Sequence, residues 1–194
     1  CRELWSSAEQ QQNYLPGVPE GSDLCITPVS APENHYVRIK ADNRLDADGT
    51  LRGTFTLTAE GQSDSNIRRI FTTGFRSEWK NTMESQLLAI SPKAKLLSVD
   101  YGKNPKDYQA APIKITFRYE IPDYALKGEK EMFFRPLVMN NLYNQVRSYL
   151  RIDTSLKERK YGFKDGCSRL VELDETIQLP AGYKLANADK NETM

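Results

Sequence analysis

The run Ile113-Lys114-Ile115-Thr116-Phe117-Arg118-Tyr119-Glu120-Ile121 constrains the fold more than any other stretch, because apolar and polar residues alternate along it without a break until Pro122. A period of two sends every second side chain to the same side, so one face is buried and the other wet. A slip of one residue would invert the strand, which ties its register to the core. The same period recurs at Val37 and Ile39 against Arg38 and Lys40, and at Leu51, Gly53, Phe55, Leu57 and Ala59 against Arg52, Thr54, Thr56, Thr58 and Glu60. Between these two runs, Asp46-Ala47-Asp48-Gly49 predicts a hairpin turn closed by a glycine in the left-handed conformation.

Three more strands are expected further on. Leu97, Val99 and Tyr101 alternate; Met132 to Leu137 is a short run that Pro136 pushes toward a sheet edge. Val171, Leu173, Ile177 and Leu179 alternate with Glu172, Asp174, Thr176 and Gln178. The period changes only once. Ile67, Ile70 and Phe71, then Trp79, Met83, Leu87 and Ile90, recur at helical spacing, which predicts helices over 64–73 and 77–90, the second stopped by Ser91-Pro92. Their apolar stripes read as core-facing. The pattern as a whole predicts a mainly β, α+β domain: an antiparallel β-sandwich carrying two consecutive helices as a helical insertion.

Residues 1–34 stand apart from residues 35–194. Pro16-Gly17, Pro19 and Pro28 interrupt them and no period is sustained, so they read as an extended arm leading into the sandwich. Leu4, Trp5, Tyr14, Leu15 and Leu24 on such an arm call for a partner surface, and Trp5, Tyr14 and Leu15 are its interface candidates. The chain's 27 Lys and Arg against 26 Asp and Glu, interspersed, form no basic footprint for nucleic acid. No stretch approaches the roughly 20 apolar residues of a transmembrane segment.

The inventory for chemistry is short. His35 is the only histidine, and Cys1, Cys25 and Cys167 match no metal-ligand spacing. A disulfide between Cys25 and Cys167 is left open, as is a lipid-bearing role for Cys1. An enzyme would need the thiolate of Cys25 or Cys167 beside His35. Glu129 and Glu131, like the Asp174-Glu175 pair, look like solvated charges, and the Asp46 to Gly49 turn lacks the terminal Glu of a calcium loop. No catalytic residue, metal ligand or cofactor is assigned. Aromatic side chains allow a binding module for peptide or carbohydrate, with Tyr101, Tyr108 and Tyr124 as its marker if they form an exposed row.

The segments "ELWSSAEQQQNYLPGVPEGSDL", "TPVSAPENHYVRI", "DGTLRGTFTLTAEGQSDSNIRRIF", "FRYEIPDYAL" and "LKERKYGFKDGCSRLVEL" resemble the C-terminal part of exported transglutaminase-like proteins of Gram-negative bacteria. In that family a papain-like core with a Cys–His–Asp triad precedes an uncharacterised β-sandwich domain. The resemblance implies that residues 1–34 are the tail of the upstream core and its exit linker, and that residues 35–194 are the accessory sandwich. It also implies a periplasmic or envelope location and the upstream core as partner. The triad's Asp-containing stretch has no counterpart in the sequence, so the family's catalytic residues map to no position here.

Overall fold

A computed structural model describes residues 9–110, 112–138, 157–158, 160–161 and 168–186. Its frame is a five-stranded sheet of β3 (Tyr36–Leu45), β4 (Leu51–Ala59), β5 (Lys95–Asp100), β6 (Ile113–Ile121) and β9 (Leu170–Gln178), in the order β5-β6-β4-β3-β9. Two-residue strands form separate ribbons, β1 (Asn13–Tyr14) with β2 (Cys25–Ile26) and β7 (Leu126–Lys127) with β8 (Met132–Phe133). Helices α1 (Gly61–Thr72) and α2 (Trp79–Leu88) follow β4 and pack on the sheet's apolar face. Among the described residues the fold is therefore mixed α/β, mostly strands with two α-helices.

Register explains how the apolar face closes. Rows of paired residues cross β3, β4 and β6: Val37–Ala59–Ile113, Ile39–Leu57–Ile115, Ala41–Phe55–Phe117, Asn43–Gly53–Tyr119 and Leu45–Leu51–Ile121. Small residues sit beside large ones, so Ala41 makes room for the Phe55–Phe117 stack, whose ring centroids are 4.4 Å apart. On the opposite face the alternating residues are exposed or half-buried. There Arg52 pairs with Asp46 and Glu120, Arg38 with Glu172, and the Thr56 and Thr116 hydroxyls meet at 3.1 Å. Exposed pairs of this kind add little stability and serve mainly to hold register.

Several expectations change. A second sheet stacked on the first is not formed among the described residues; helices occupy that position. The pairing is not antiparallel throughout, because β9 runs parallel to β3, Val37 opposite Val171 through Arg44 opposite Gln178. The long connection after β6 lets the chain return in that sense. In β5 a bulge between Leu96 and Ser98 re-phases the strand, so that Leu96 is buried and Leu97 faces out, against the expected alternation of Leu97, Val99 and Tyr101. The strand expected over 132–137 shortens to Met132–Phe133, and Leu137 is fully buried.

Glu175 is not a solvated charge. It lies on the apolar face in phase with Leu173 and Ile177, opposite Ala41. Its carboxylate accepts from Asn43 Nδ2 at 2.8 Å and from the backbone N–H groups of Leu137 at 3.0 Å and Val138 at 2.8 Å. The Tyr119 hydroxyl donates to Asn43 Oδ1, reaching across Gly53, whose missing side chain leaves the space. Burial, with the Glu175 charge nearby, pushes the Tyr119 hydroxyl far above its usual range, so it stays a donor. Tyr124, whose hydroxyl donates to Arg135 O at 2.6 Å, is likewise pushed up to about 12 by burial.

The helical stripe also differs from expectation. Ile70 is 47% exposed, and Arg68, 2% exposed, turns inward beside Ile67 and Phe71. Arg68 Nε pairs with Asp64 at 2.6 Å, and Nη1 donates to the carbonyls of Pro105 at 3.0 Å and Asp107 at 2.9 Å. Asp64 in turn accepts the N–H of Ile113 at 2.7 Å, where β6 begins. The pair thus welds α1 to the β5–β6 connection.

Two stability predictions follow from this packing. A Cβ at position 53 meets Asn43 Oδ1, so Gly53→Ala should lower unfolding free energy by about 2–3 kcal/mol through overpacking and loss of the Tyr119–Asn43 bond. In urea melts, a cost under about 0.5 kcal/mol would contradict this role. Arg68→Ala strands Asp64 and the buried carbonyls and should cost about 3–5 kcal/mol, with Arg68→Lys intermediate because an ammonium cannot span both partners.

Candidate functional site

Residues 9–35 fold back on themselves instead of extending. Gln11 N donates to Thr27 O at 3.1 Å, Thr27 N to Gln12 O at 2.9 Å and Gln12 N to Thr27 Oγ1 at 2.8 Å, while the Thr27 hydroxyl donates to Glu9 O. The base of this ribbon is pinned to the domain. Gln10 is buried; its Oε1 accepts from Ser30 N at 3.1 Å and its Nε2 lies 3.3 Å from His35 Nε2. Beyond the pinned base, the apolar side chains point outward. Tyr14 is 44% exposed and Leu15 67%, and Val18, Leu24, Ile26 and Val29 are exposed with them. Trp5 lies outside the described residues.

His35 is a structural residue. It is buried at the end of a 3-10 turn (Pro32–His35), and its Nδ1 accepts the N–H of Gln62 at 3.0 Å, capping the first turn of α1. That bond puts the ring proton on Nε2, which meets the Gln10 amide nitrogen as a contact between two donors and not as a hydrogen bond. Gly61, at φ +59°, runs so close to the ring and to Asn34 O that a side chain would collide with both. Burial, and then the Arg169 charge, hold the His35 pKa below its ordinary 6.5. Cys25 is a half-buried free thiol whose Sγ donates weakly to Asp23 O at 3.5 Å, while Nδ1 of His35 accepts from Gln62 N. Cys1 and Cys167 lie outside the described residues. Among the described residues no group of three His, Cys, Asp or Glu is placed to hold a metal ion.

The three marker tyrosines do not form an exposed row. Tyr108 is exposed, with its ring near the Arg68 guanidinium. Tyr101 packs edge-on against Phe71 and Trp79, at 5.7 and 5.4 Å between centroids, and Tyr124 is half-buried.

A concavity lies where the sequence shows only core. A cavity of about 190 Å³ opens between α1, α2 and the apolar face of the sheet. Its floor is Ile39, Phe55, Leu57 and Ile115, its roof Ile67, Phe71, Met83 and Leu87, and Ile70, Gln86 and Ile90 stand at its exposed side. Water entering it finds one side chain able to hydrogen-bond, Gln86.

The buried His35 yields a pH prediction. Its folded pKa lies below the unfolded 6.5, so its contribution is complete above 6.5 and is lost as the pH falls through 6.5 toward the folded value. The thermal midpoint should drop as the pH is lowered below about 6.5, and His35→Gln should flatten that drop. An unchanged slope in the variant would assign the acid sensitivity to other groups.

No helix among the described residues is long and apolar enough to cross a membrane. Compared with known protein families, with curated proteins and with solved structures, the chain matches none.

Proposed function

We propose that this chain is a non-catalytic accessory module of a larger exported transglutaminase-like protein, packing on the upstream thiol-enzyme core and modulating it. The observation that carries this reading is the arm: Tyr14, Leu15, Leu24 and Ile26 stand in solvent on a ribbon whose base is fixed by Gln10 and Thr27. Apolar side chains held outward by an anchored backbone cannot turn in to cover themselves. They lower free energy by meeting another surface, and aromatic and aliphatic anchors of this kind dominate such contacts.

An alternative is a stand-alone envelope module binding peptide or carbohydrate. Its aromatic marker is reduced to Tyr108, so sugar stacking has little support.

The test is a longer polypeptide that includes the coding sequence upstream of Cys1. With Tyr14→Ser and Leu15→Ser together, the 194-residue chain alone should unfold as before, within about 0.5 kcal/mol. The longer polypeptide should lose about 2–4 kcal/mol of interdomain stabilisation, seen as separate thermal transitions and altered thiol-enzyme activity. An upstream region without a Cys–His–Asp core, or a longer polypeptide indifferent to both substitutions, would overturn the proposal.

A further inference from the structure

We propose that the cavity between α1, α2 and the sheet binds a single medium-length aliphatic chain bearing a hydrogen-bonding head group. This goes beyond the accessory role and does not depend on it. Three observations carry the assignment. The first is shape: the floor draws side chains from β3, β4 and β6, three adjacent strands. Neighbouring strands are about 4.8 Å apart, so the floor extends roughly 10 Å, longer than one ring and suited to a chain.

The second observation is the chemistry of the wall. Apart from Gln86 every lining residue among the described ones is apolar, and the lining rings already have ring partners. Phe55 stacks on Phe117 and tilts against Tyr119, while Phe71 meets Trp79 and Tyr101 edge-on. What remains for a guest is mostly the branched aliphatic surface of Ile39, Leu57, Ile67, Leu87 and Ile115. The volume, about 190 Å³, exceeds the roughly 150 Å³ of an apolar cavity known to stay dry and take up benzene.

The third is polarity at one end. Gln86 is exposed on α2 and lines the cavity at its open side together with Ile70, which is 47% exposed on α1. A chain entering tail-first leaves its head beside the Gln86 amide, which can donate or accept. Among the described residues no charged side chain lines the cavity, so a hydroxyl, amide or protonated acid fits the head position. A lipid tail and a free medium-chain alcohol or acid share this chemistry.

Isothermal titration of the full 194-residue chain with hexanol, octanol, decanol and dodecanol tests the site. Affinity should rise about fourfold per methylene through the shorter alcohols and level off once the chain outgrows the cavity, with a negative heat-capacity change. Ile70→Trp should cut octanol affinity at least about tenfold by filling the mouth, without lowering the thermal midpoint. Should that variant not fold, Gln86→Trp closes the mouth from the other helix, at an exposed position. Adding a vesicle arm separates sources: transfer of a fluorescent phospholipid marks a membrane lipid tail, and alkanol binding without transfer marks a free amphiphile. No binding by the wild-type chain, binding without dependence on chain length, affinity unchanged by a folded mouth variant, or benzene binding tighter than octanol would each overturn the assignment.

Discussion

The structure depends on an empty position in its middle strand. Gly53 lies between Asn43 and Tyr119 in the sheet, and only without a side chain there can the Tyr119 hydroxyl reach Asn43. Asn43 is then turned so that its amide N–H points at Glu175, the one acidic group that β9 brings to the apolar face. Glu175 uses its remaining capacity on the N–H groups of Leu137 and Val138, two fully buried residues. One direction of donation runs from hydroxyl to amide to carboxylate, and such a chain strengthens each of its bonds. A side chain at 53 breaks the first bond and loosens both segments anchored at the far end.

This arrangement explains why the parallel strand is held in place. A charge on an apolar face is costly unless its lone pairs are met, and three N–H donors meet them here. If β9 slipped by one residue against β3, Glu175 would turn to the wet face and Asp174 would face the core without those donors. The wet face adds a matching condition, since Arg38 pairs with Glu172 directly across the same two strands.

Local period was legible in the sequence; what came from elsewhere in the chain was not. Residues 113–121 and 51–59 form the strands their alternation predicts, and Gly49, at φ +89°, closes the hairpin between β3 and β4. The β5 bulge escaped because Leu96-Leu97 offers two apolar residues in succession and pairing with β6 chooses between them. Arg68 was passed over because an arginine on a helix normally points to water, and its carbonyl partners lie beyond β5. Glu175 looked solvated for the same reason. The arm's exposure followed from its Pro and Gly turns, but the cavity had no sequence signal: Ile67, Phe71, Met83 and Leu87 are the residues a filled core would also use. Helix stand-off from a sheet is set by packing geometry, not by residue type.

Helix α1 is where these features meet. Its first turn is capped by His35, whose ring touches the Gln10 that fixes the arm. Asp64 holds it to the start of β6, and Arg68 to the loop before that strand. Ile67, Ile70 and Phe71 on the same helix form part of the cavity wall. An element tied at its start and middle to three other segments has few ways to move without exposing a buried charge or carbonyl. Coupling between two sites needs an element with two arrangements of similar energy, and any second arrangement of α1 would have to re-satisfy Asp64, Arg68 and the carbonyls they hold. The hydrogen bonds that fix α1 thereby also fix one wall of the cavity.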